Sequence, residues 1–395
     1  MDEPAAPLRV ALLAGTLTPG GAEKQLVYMA RALLKSNVAV RVYSLRRDEF
    51  YEAALRRLNL EPTWIGRNEN PLLRLSTFVR ALRAYRPHII QSGHFFGNLY
   101  VAFAARLLGA LAIGSIRNDG FYEVQTTGRW APWLLRLPRS LIANSHSARQ
   151  NLRSMRVSEA MCHIVPNVID LVDFDAQALA VRPIIRRSES PVLVTACTLA
   201  NRKRVDRFLA ALSLARRSMP QLRGIIIGDG PERSNLEALA GECGLLPDGV
   251  QFLGRSQAVP AILRQADIFL LTSQHEGFPN VLLEAMAARL PVVTTPAGDA
   301  GRVVEHDATG YVVSFDDIDG MARRLLQLAT SPPLRRQLGD AGRARVERSY
   351  SYTGLASCLL ETYRGIAEQQ RNRRALAACL SHSSSNFPLG VPRTH

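Results

Sequence analysis

The sequence predicts an α/β protein made of two Rossmann-like domains, each built on a parallel sheet covered on both faces. Three observations carry that expectation. Short β-branched runs alternate with amphipathic helical stretches from one end of the chain to the other, a pattern that demands parallel strands buried on both sides. A single sheet would need about a dozen strands, more than a strongly twisted sheet normally holds. The chain also has 395 residues, two to three times the usual length of one domain.

In the first half, the runs 9–15 (RVALLAG), 38–45 (VAVRVYSL), 88–93 (HIIQSG), 112–116 (AIGSI) and 140–145 (SLIANS) read as buried strands. Between them lie helical stretches such as 22–35, with Leu26, Met29, Ala30 and Leu33 at helical spacing. The second half starts afresh with 191–198 (PVLVTACT), 223–230 (RGIIIGDG), 250–254 (VQFLG), 267–273 (DIFLLTS), 291–295 (PVVTT) and 310–314 (GYVVS). The boundary is expected between Asp170 and Pro191, where charge is high and periodicity weak. The expected organisation is therefore a first domain over 1–170, a second over 171–350, a closing helix at 351–370 packed back on the first domain, and a tail at 371–395 whose composition predicts disorder.

Apolar residues make up 47% and charged residues 21%, which excludes a wholly disordered chain, a collagen or coiled-coil rod and a disulfide-knit mini-protein. The net charge is +15, and arginine supplies nearly all of the basic side chains, since only Lys24, Lys35 and Lys203 are lysines. Residues 1–170 carry 22 basic and 12 acidic side chains, a net +10; residues 171–395 carry 27 and 22, a net +5. A basic first half suits a polyanionic partner, nucleic acid or an acidic membrane surface; solvated surface arginine and a GC-rich genome explain it equally well. Cys162, Cys197, Cys243, Cys358 and Cys379 are odd in number, scattered and never at metal-ligand spacing. The N-terminus lacks the pattern of a signal peptide, and the apolar stretch near Leu99–Ile113 is broken by Arg106 and too short to span a bilayer. A cytoplasmic protein is expected, with peripheral membrane contact open.

Gly20 and Gly21 follow the first strand and precede a helix, where glycine permits close backbone approach and free amides favour an anion. Gly228 and Gly230 stand after a strand in the second half, but Arg233 replaces the third glycine of a dinucleotide fingerprint, which disfavours a nicotinamide cofactor. The richest segment is 272–295. A strand ends near Ser273, a loop carries His275, Glu276 and Gly277, and Pro279-Asn280 opens a helix with Asn280 as its expected N-cap. Carboxylates repel phosphate, so Glu276 and Glu284 suit vicinal hydroxyls, such as those of a sugar and a ribose. A plainer alternative makes Glu284 a complement to the helix dipole.

Glu276-Gly277-Phe278-Pro279 with Glu284 is similar to the E-x7-E signature of retaining glycosyltransferases, and the chain resembles glycosyltransferase family 4 from about residue 8 to 368. The likeness runs through GGAEKQLVYMARAL, RPHIIQSGH, IANSHSARQNL and VPNVIDLVDF in the first half, and KRVDRFLAAL, IIIGDGP, EGFPNVLLEAMAARLPVVTT, AGD and ATGYVV in the second. The resemblance implies the GT-B architecture, two Rossmann-like domains whose parallel sheets face a central cleft. It implies that Glu276 holds donor-sugar hydroxyls, that the backbone of Gly277, Phe278, Pro279 and Asn280 surrounds sugar and diphosphate, and that Glu284 binds the ribose. Lys203 would neutralise the leaving diphosphate, Gly20 and Gly21 would close over the phosphates, and His94 would lie near the reacting carbon. Gly228 and Gly230 would hold part of the nucleotide.

The sequence departs from the family where Thr198 stands in place of an arginine, leaving Arg202 or Arg204 as substitutes at the diphosphate. Val168 replaces a turn glycine in 166–170, and Arg302 stands where the family has a glutamate. The resemblance implies front-face displacement with retention, the departing oxygen taking the acceptor proton, and no metal or other cofactor. The strings Asp173-Phe174-Asp175 and Asp317-Ile318-Asp319 are expected to be linker and helix-start acids rather than metal ligands. Segments 72–86 and 129–139 mix arginine with Trp, Leu and Phe, as at a lipid interface or on an amphipathic helix packed against a sheet. The expected activity is transfer from a nucleotide-diphosphate sugar to a saccharide, with a lipid-linked acceptor for surface polysaccharide on the membrane reading. A GT-B phosphorylase, a nucleotide-sugar epimerase, a sugar-nucleotide sensor and a nucleic-acid-binding protein are the rivals; no nucleic-acid module stands behind the last.

Overall fold

The computed structural model describes residues 7–180 and 190–370. The tail 371–395 with Cys379, and part of the expected boundary stretch, lie outside the described residues. The chain divides into two compact units: the first runs to Pro166 and resumes at Thr353, and the second spans Asn167–Tyr352.

The first unit holds seven parallel strands: β1 (Arg9–Ala14), β2 (Ala39–Ser44), β3 (Thr63–Trp64), β4 (Ile89–Ser92), β5 (Leu111–Ile116), β6 (Leu141–Ala143) and β7 (Cys162–Ile164). Their order in the sheet is β3-β2-β1-β4-β5-β6-β7. β3 and β7, two and three residues long at the two edges, are additions to the five strands expected. So short a strand carries no readable periodicity, and a short edge is how sheets blunt unpaired backbone.

The second unit holds β8 (Val192–Ala196), β9 (Arg223–Ile227), β10 (Val250–Gly254), β11 (Ile268–Leu271), β12 (Val292–Thr294) and β13 (Gly310–Val312), all parallel, in the order β10-β9-β8-β11-β12-β13. Both faces are covered. Leu193 and Ile226 point into the cluster formed with helices Val205–Arg216 and Ile318–Thr330, while Val192, Val194 and Ile225 point into the one formed with helix Asn280–Ala287. Alternate residues buried on opposite sides explain why these strands read as continuous apolar runs.

The two sheets share a consequence. Each order reverses direction once, between β1 and β4 in the first and between β8 and β11 in the second. In open α/β sheets, ligands sit outside the carboxyl ends of the strands at that switch point.

The stretch read as a weakly periodic boundary is instead a helix, Leu171–Leu179, capped by the Asp170 carboxylate and burying Phe174 and Ala178. The two acidic strings are used locally. Asp173 accepts from Gln177 and Asp175 is paired with Arg343 at 2.7 Å, while Asp317 caps helix Ile318–Thr330 through the N–H of Gly320. Among the described residues no group of three or more His, Cys, Asp or Glu is placed to hold a metal ion. The closing helix, Leu355–Gln369, packs within the first unit: Tyr363 is fully buried and its hydroxyl donates to Gln91 Oε1 at 2.5 Å. Among the described residues no helix is long and apolar enough to cross a membrane.

Candidate active site

In the second unit the loops after β8 and β11, the two strands at the switch point, are tied together. The loop after β8 is shaped by Gly228, whose φ of +138° belongs to glycine and whose missing side chain lets the Cys197 carbonyl lie against it. Gly230 makes the same close approach to Leu199 O. The two glycines therefore mould the loop that leads to Lys203. That loop is bound to the one after β11 by Gln274 N–H to Arg202 O at 2.8 Å and Thr272 Oγ1 to Lys203 O at 3.2 Å.

These ties deliver the Lys203 ammonium to the Glu276 carboxylate, an ion pair at Oε1 that also accepts from Ser273 Oγ at 2.8 Å. Arg202 Nη1 stands 3.9 Å from Oε2. Glu276 is only 9% exposed. Burial alone would raise its pKa, but the charge and hydrogen bond of Lys203, with Ser273 and Arg202, outweigh burial and hold the carboxyl below the usual range. Ser273 is itself fixed by Thr295 Oγ1, which donates to its carbonyl at 2.6 Å.

Beyond Glu276 the chain enters helix Asn280–Ala287. No hydrogen bond among the described residues engages the N–H groups of Gly277, Phe278, Asn280 or Val281. Such orphan amides at a helix start favour an anion. Asn280 is not the N-cap: Pro279 holds that position, and Asn280 Oδ1 accepts from Asn167 Nδ2 at 2.7 Å. The Phe278 ring packs edge-on against Tyr350 at 5.6 Å, in the core, so only its backbone is left to a ligand. Glu284 lies half-buried on the helix.

The three residues expected at the diphosphate separate. Arg202 reaches Glu276, Arg204 turns away in a left-handed conformation and binds Asp206 at 2.8 Å, and Thr198 is exposed. Arg302 is likewise exposed, whereas Asp299, in the same loop, is 3% exposed, and its N–H donates to Gly277 O at 3.0 Å. Gly298, beside it, has φ +58° and packs against the carbonyls of Glu276 and Gly277.

The first unit assembles a second cluster at its own switch point. His94, just past β4, accepts from Gly15 N–H through Nδ1 at 3.1 Å. In the neutral ring this puts the hydrogen on Nε2, which faces Glu23 Oε1 at 3.2 Å. Thr16 Oγ1 donates to the same oxygen at 2.6 Å. Burial opposes the Glu23 charge, yet hydrogen bonds from His94 and Thr16 hold its carboxyl below the ordinary range. Glu23 stands in the first turn of helix Gly21–Lys35, against Gly20. The anion at this helix start is the chain's own, and a phosphate at Gly20 and Gly21 would have to displace it.

Sequence reasoning passed over Glu23, Ser273, Asn167 and Asp299. Glu23 had a readable signal, a carboxylate in the first turn after a glycine pair; the partners of Ser273, Asn167 and Asp299 are set by how the loops fold together, which no local pattern announces.

Residues 180–345 match the family described as Glycosyl transferases group 1, and residues 19–173 match Glycosyltransferase Family 4. Over 189 residues the chain is 32% identical to the GDP-mannose-dependent alpha-(1-6)-phosphatidylinositol monomannoside mannosyltransferase of Mycobacterium tuberculosis, covering 46% of this chain and 49% of that one. Over 148 residues it is 32% identical to N-acetyl-alpha-D-glucosaminyl L-malate synthase of Bacillus anthracis, covering 38% and 39%. The matched region spans about two fifths to half the length of these curated relatives. The solved structure of HepE from Anabaena in complex with UDP-glucose superposes with a TM-score of 0.80 at 19% identity, over 91% of this chain and 100% of that one.

Proposed function

We propose, for a chain that belongs to the group 1 glycosyltransferases of family 4, that it moves a sugar from a nucleotide-diphosphate donor to a saccharide hydroxyl with retention of anomeric configuration. One observation carries this reading: the second unit sets the Lys203–Glu276 pair directly before the unengaged N–H groups of Gly277, Phe278, Asn280 and Val281. A nucleotide sugar is polyanionic at one end and rich in hydroxyls at the other. Lys203, with Arg202 and the helix-start amides, would take the diphosphate, stabilising the negative charge that grows as the glycosidic bond breaks. Glu276, held ionised, would accept hydrogen bonds from donor-sugar hydroxyls. Glu284 on the following helix would take the ribose.

With two side-chain cations and backbone amides supplying the countercharge, no resident metal enters the proposal, and EDTA is expected to leave donor binding unchanged. The retaining course rests on the family resemblance, in which the leaving oxygen accepts the proton of the incoming hydroxyl.

The acceptor side of the proposal is a lipid-linked saccharide at an anionic membrane surface on the cytoplasmic side. Trp130 and Trp133, 60% and 45% exposed in the first unit, support it, as does the +10 charge of residues 1–170. So does the phosphatidylinositol mannoside named for the mycobacterial relative.

The test is a thermal-shift panel of UDP-, GDP- and ADP-sugars. One donor series is expected to raise the melting temperature, and Lys203→Ala and Glu276→Ala to abolish the rise. No stabilisation by any donor would overturn the reading.

A further inference from the structure

We infer that Asn167 is a positioning residue for the donor: it turns the Asn280 side-chain amide so that the NH2 end serves the diphosphate. The inference rests on the glycosyltransferase reading and adds to it a side chain 113 residues away from the one it orients.

Asn280 is the first residue of helix Asn280–Ala287 and stands among the unengaged N–H groups that favour an anion. A side-chain amide in that place has two ends of opposite character. Its NH2 group would add donors to the anion, and its oxygen would repel it. Asn167 makes the choice. Its Nδ2 donates to Asn280 Oδ1 at 2.7 Å, so the oxygen is taken and the NH2 end is the one left to a ligand.

That orientation is the favoured one. Asn167 is only 3% exposed, and its own Oδ1 has no partner among the described residues. Turning both amides over would keep one hydrogen bond between them but strand the buried NH2 group of Asn167. A buried carbonyl oxygen without a partner is tolerated more often than a buried N–H donor. The unsatisfied oxygen also argues against a merely structural use of Asn167. An apolar side chain would fill the same place without that cost.

The backbone behind Asn167 holds it still. Two residues on, Ile169 N–H donates to Tyr350 O at 2.9 Å, and Tyr352 N–H donates to Ile169 O at 2.9 Å. Tyr350 in turn packs against the Phe278 ring at 5.6 Å. The segment 167–169 and the loop that opens the helix are therefore braced on the same tyrosine, all within the second unit.

Calorimetric titration of the full chain with UDP, GDP and ADP tests this, alongside saturation-transfer NMR with uridine, guanosine and adenosine. The diphosphate that binds the wild type should bind Asn280→Ala and Asn167→Ala about tenfold more weakly, the loss of one hydrogen bond to a charged group. Its nucleoside should bind all three proteins alike, because only the diphosphate meets the amide. Asn167→Asp, an isostere that can only accept, should turn the Asn280 oxygen towards the ligand and weaken the diphosphate at least as much. Asn167→Ala combined with Asn280→Ala should be no weaker than Asn280→Ala alone, since Asn167 acts through that side chain. If Asn167→Ala melts early, Asn167→Asp and the half-buried Asn280→Ala decide. Losses that multiply in the double variant, equal losses for the nucleoside, or a diphosphate affinity indifferent to Asn167 would overturn the positioning role. Any of these leaves the donor reading standing, whereas no binding of UDP, GDP or ADP to the wild type ends both.

Discussion

Lys203 and Glu276, 73 residues apart in the chain, form a nearly buried ion pair that closes the loops after β8 and β11 onto each other. Removing one partner strands the other. Lys203→Ala is expected to lower stability by about 3 kcal/mol, because the Glu276 carboxylate stays buried without its main countercharge. Glu276→Ala should cost about as much by the same logic. The double variant should be more stable than the sum of the two losses predicts, by at least ~1 kcal/mol. Urea denaturation of the four proteins measures this; strict additivity would show that the pair is not coupled.

Acid should expose the same pair. The folded-state pKa of Glu276 is held below its ordinary value, so the folded protein binds that proton less tightly than the unfolded chain does. The stabilisation is therefore fully present above the ordinary glutamate range, near pH 4.3, and lost as pH falls through the depressed folded value. Glu23 behaves alike in the first unit. His88 and His163, whose burial lowers their pKa, should lower the unfolding midpoint gently as pH falls through the ordinary histidine range, and the two carboxylates should add a steeper fall below about pH 4. Glu276→Gln should make that fall shallower; an unchanged slope would show that the carboxyl is not depressed.

Much of this was readable in advance because both sheets are parallel and buried on two faces. Eleven of the thirteen strands announce themselves as apolar runs, and the two that do not, β3 and β7, are two and three residues long. The candidate site was legible where residue type at a fixed spacing marks it, at Lys203, Glu276 and the glycine at 277, which the structure brings together. It was illegible where long-range geometry decides. Nothing near Asn280 in sequence announces that Asn167 holds its side chain. Nothing in the run around His94 says that Gly15 and Glu23 engage both of its nitrogens. Gly228 and Gly230 read as a ligand turn, and their positions are explained by the backbone of Cys197 and Leu199 packed against them.

Gly298 should tolerate no side chain. Its φ is +58°, and a Cβ there collides with the carbonyls of Glu276 and Gly277. Gly298→Ala combines a left-handed backbone, about 1–2 kcal/mol for an L-residue, with displacement of the loop that carries Glu276. A stability loss of about 2 kcal/mol or more is expected, with donor affinity reduced at least ~10-fold. Gly301→Ala is the control three residues on, where the nearest atom stands 3.9 Å from the added carbon; it should change stability by less than about 0.5 kcal/mol. Calorimetry and donor titration of both variants check the contrast, and equal losses would remove Gly298 from the site.

Cysteine reactivity reports on the loop beneath Lys203. Burial pushes the Cys162 thiol up to about 12 and the Cys197 and Cys358 thiols up to about 11. Only the thiolate reacts, so at pH 8 these three should alkylate roughly 100-fold more slowly than an ordinary exposed thiol. Cys197 is the informative one, because its carbonyl lies where a side chain at Gly228 would have to go. Gly228→Ala must therefore push the Cys197–Leu199 loop outward, hydrating the thiol and moving Lys203 away from Glu276. Iodoacetamide labelling followed by peptide mass spectrometry should show Cys197 accelerated at least ~10-fold in that variant. Cys162, in the other unit, should stay slow. Acceleration of both would mean global loosening, and acceleration of neither would mean that the loop does not depend on the glycine.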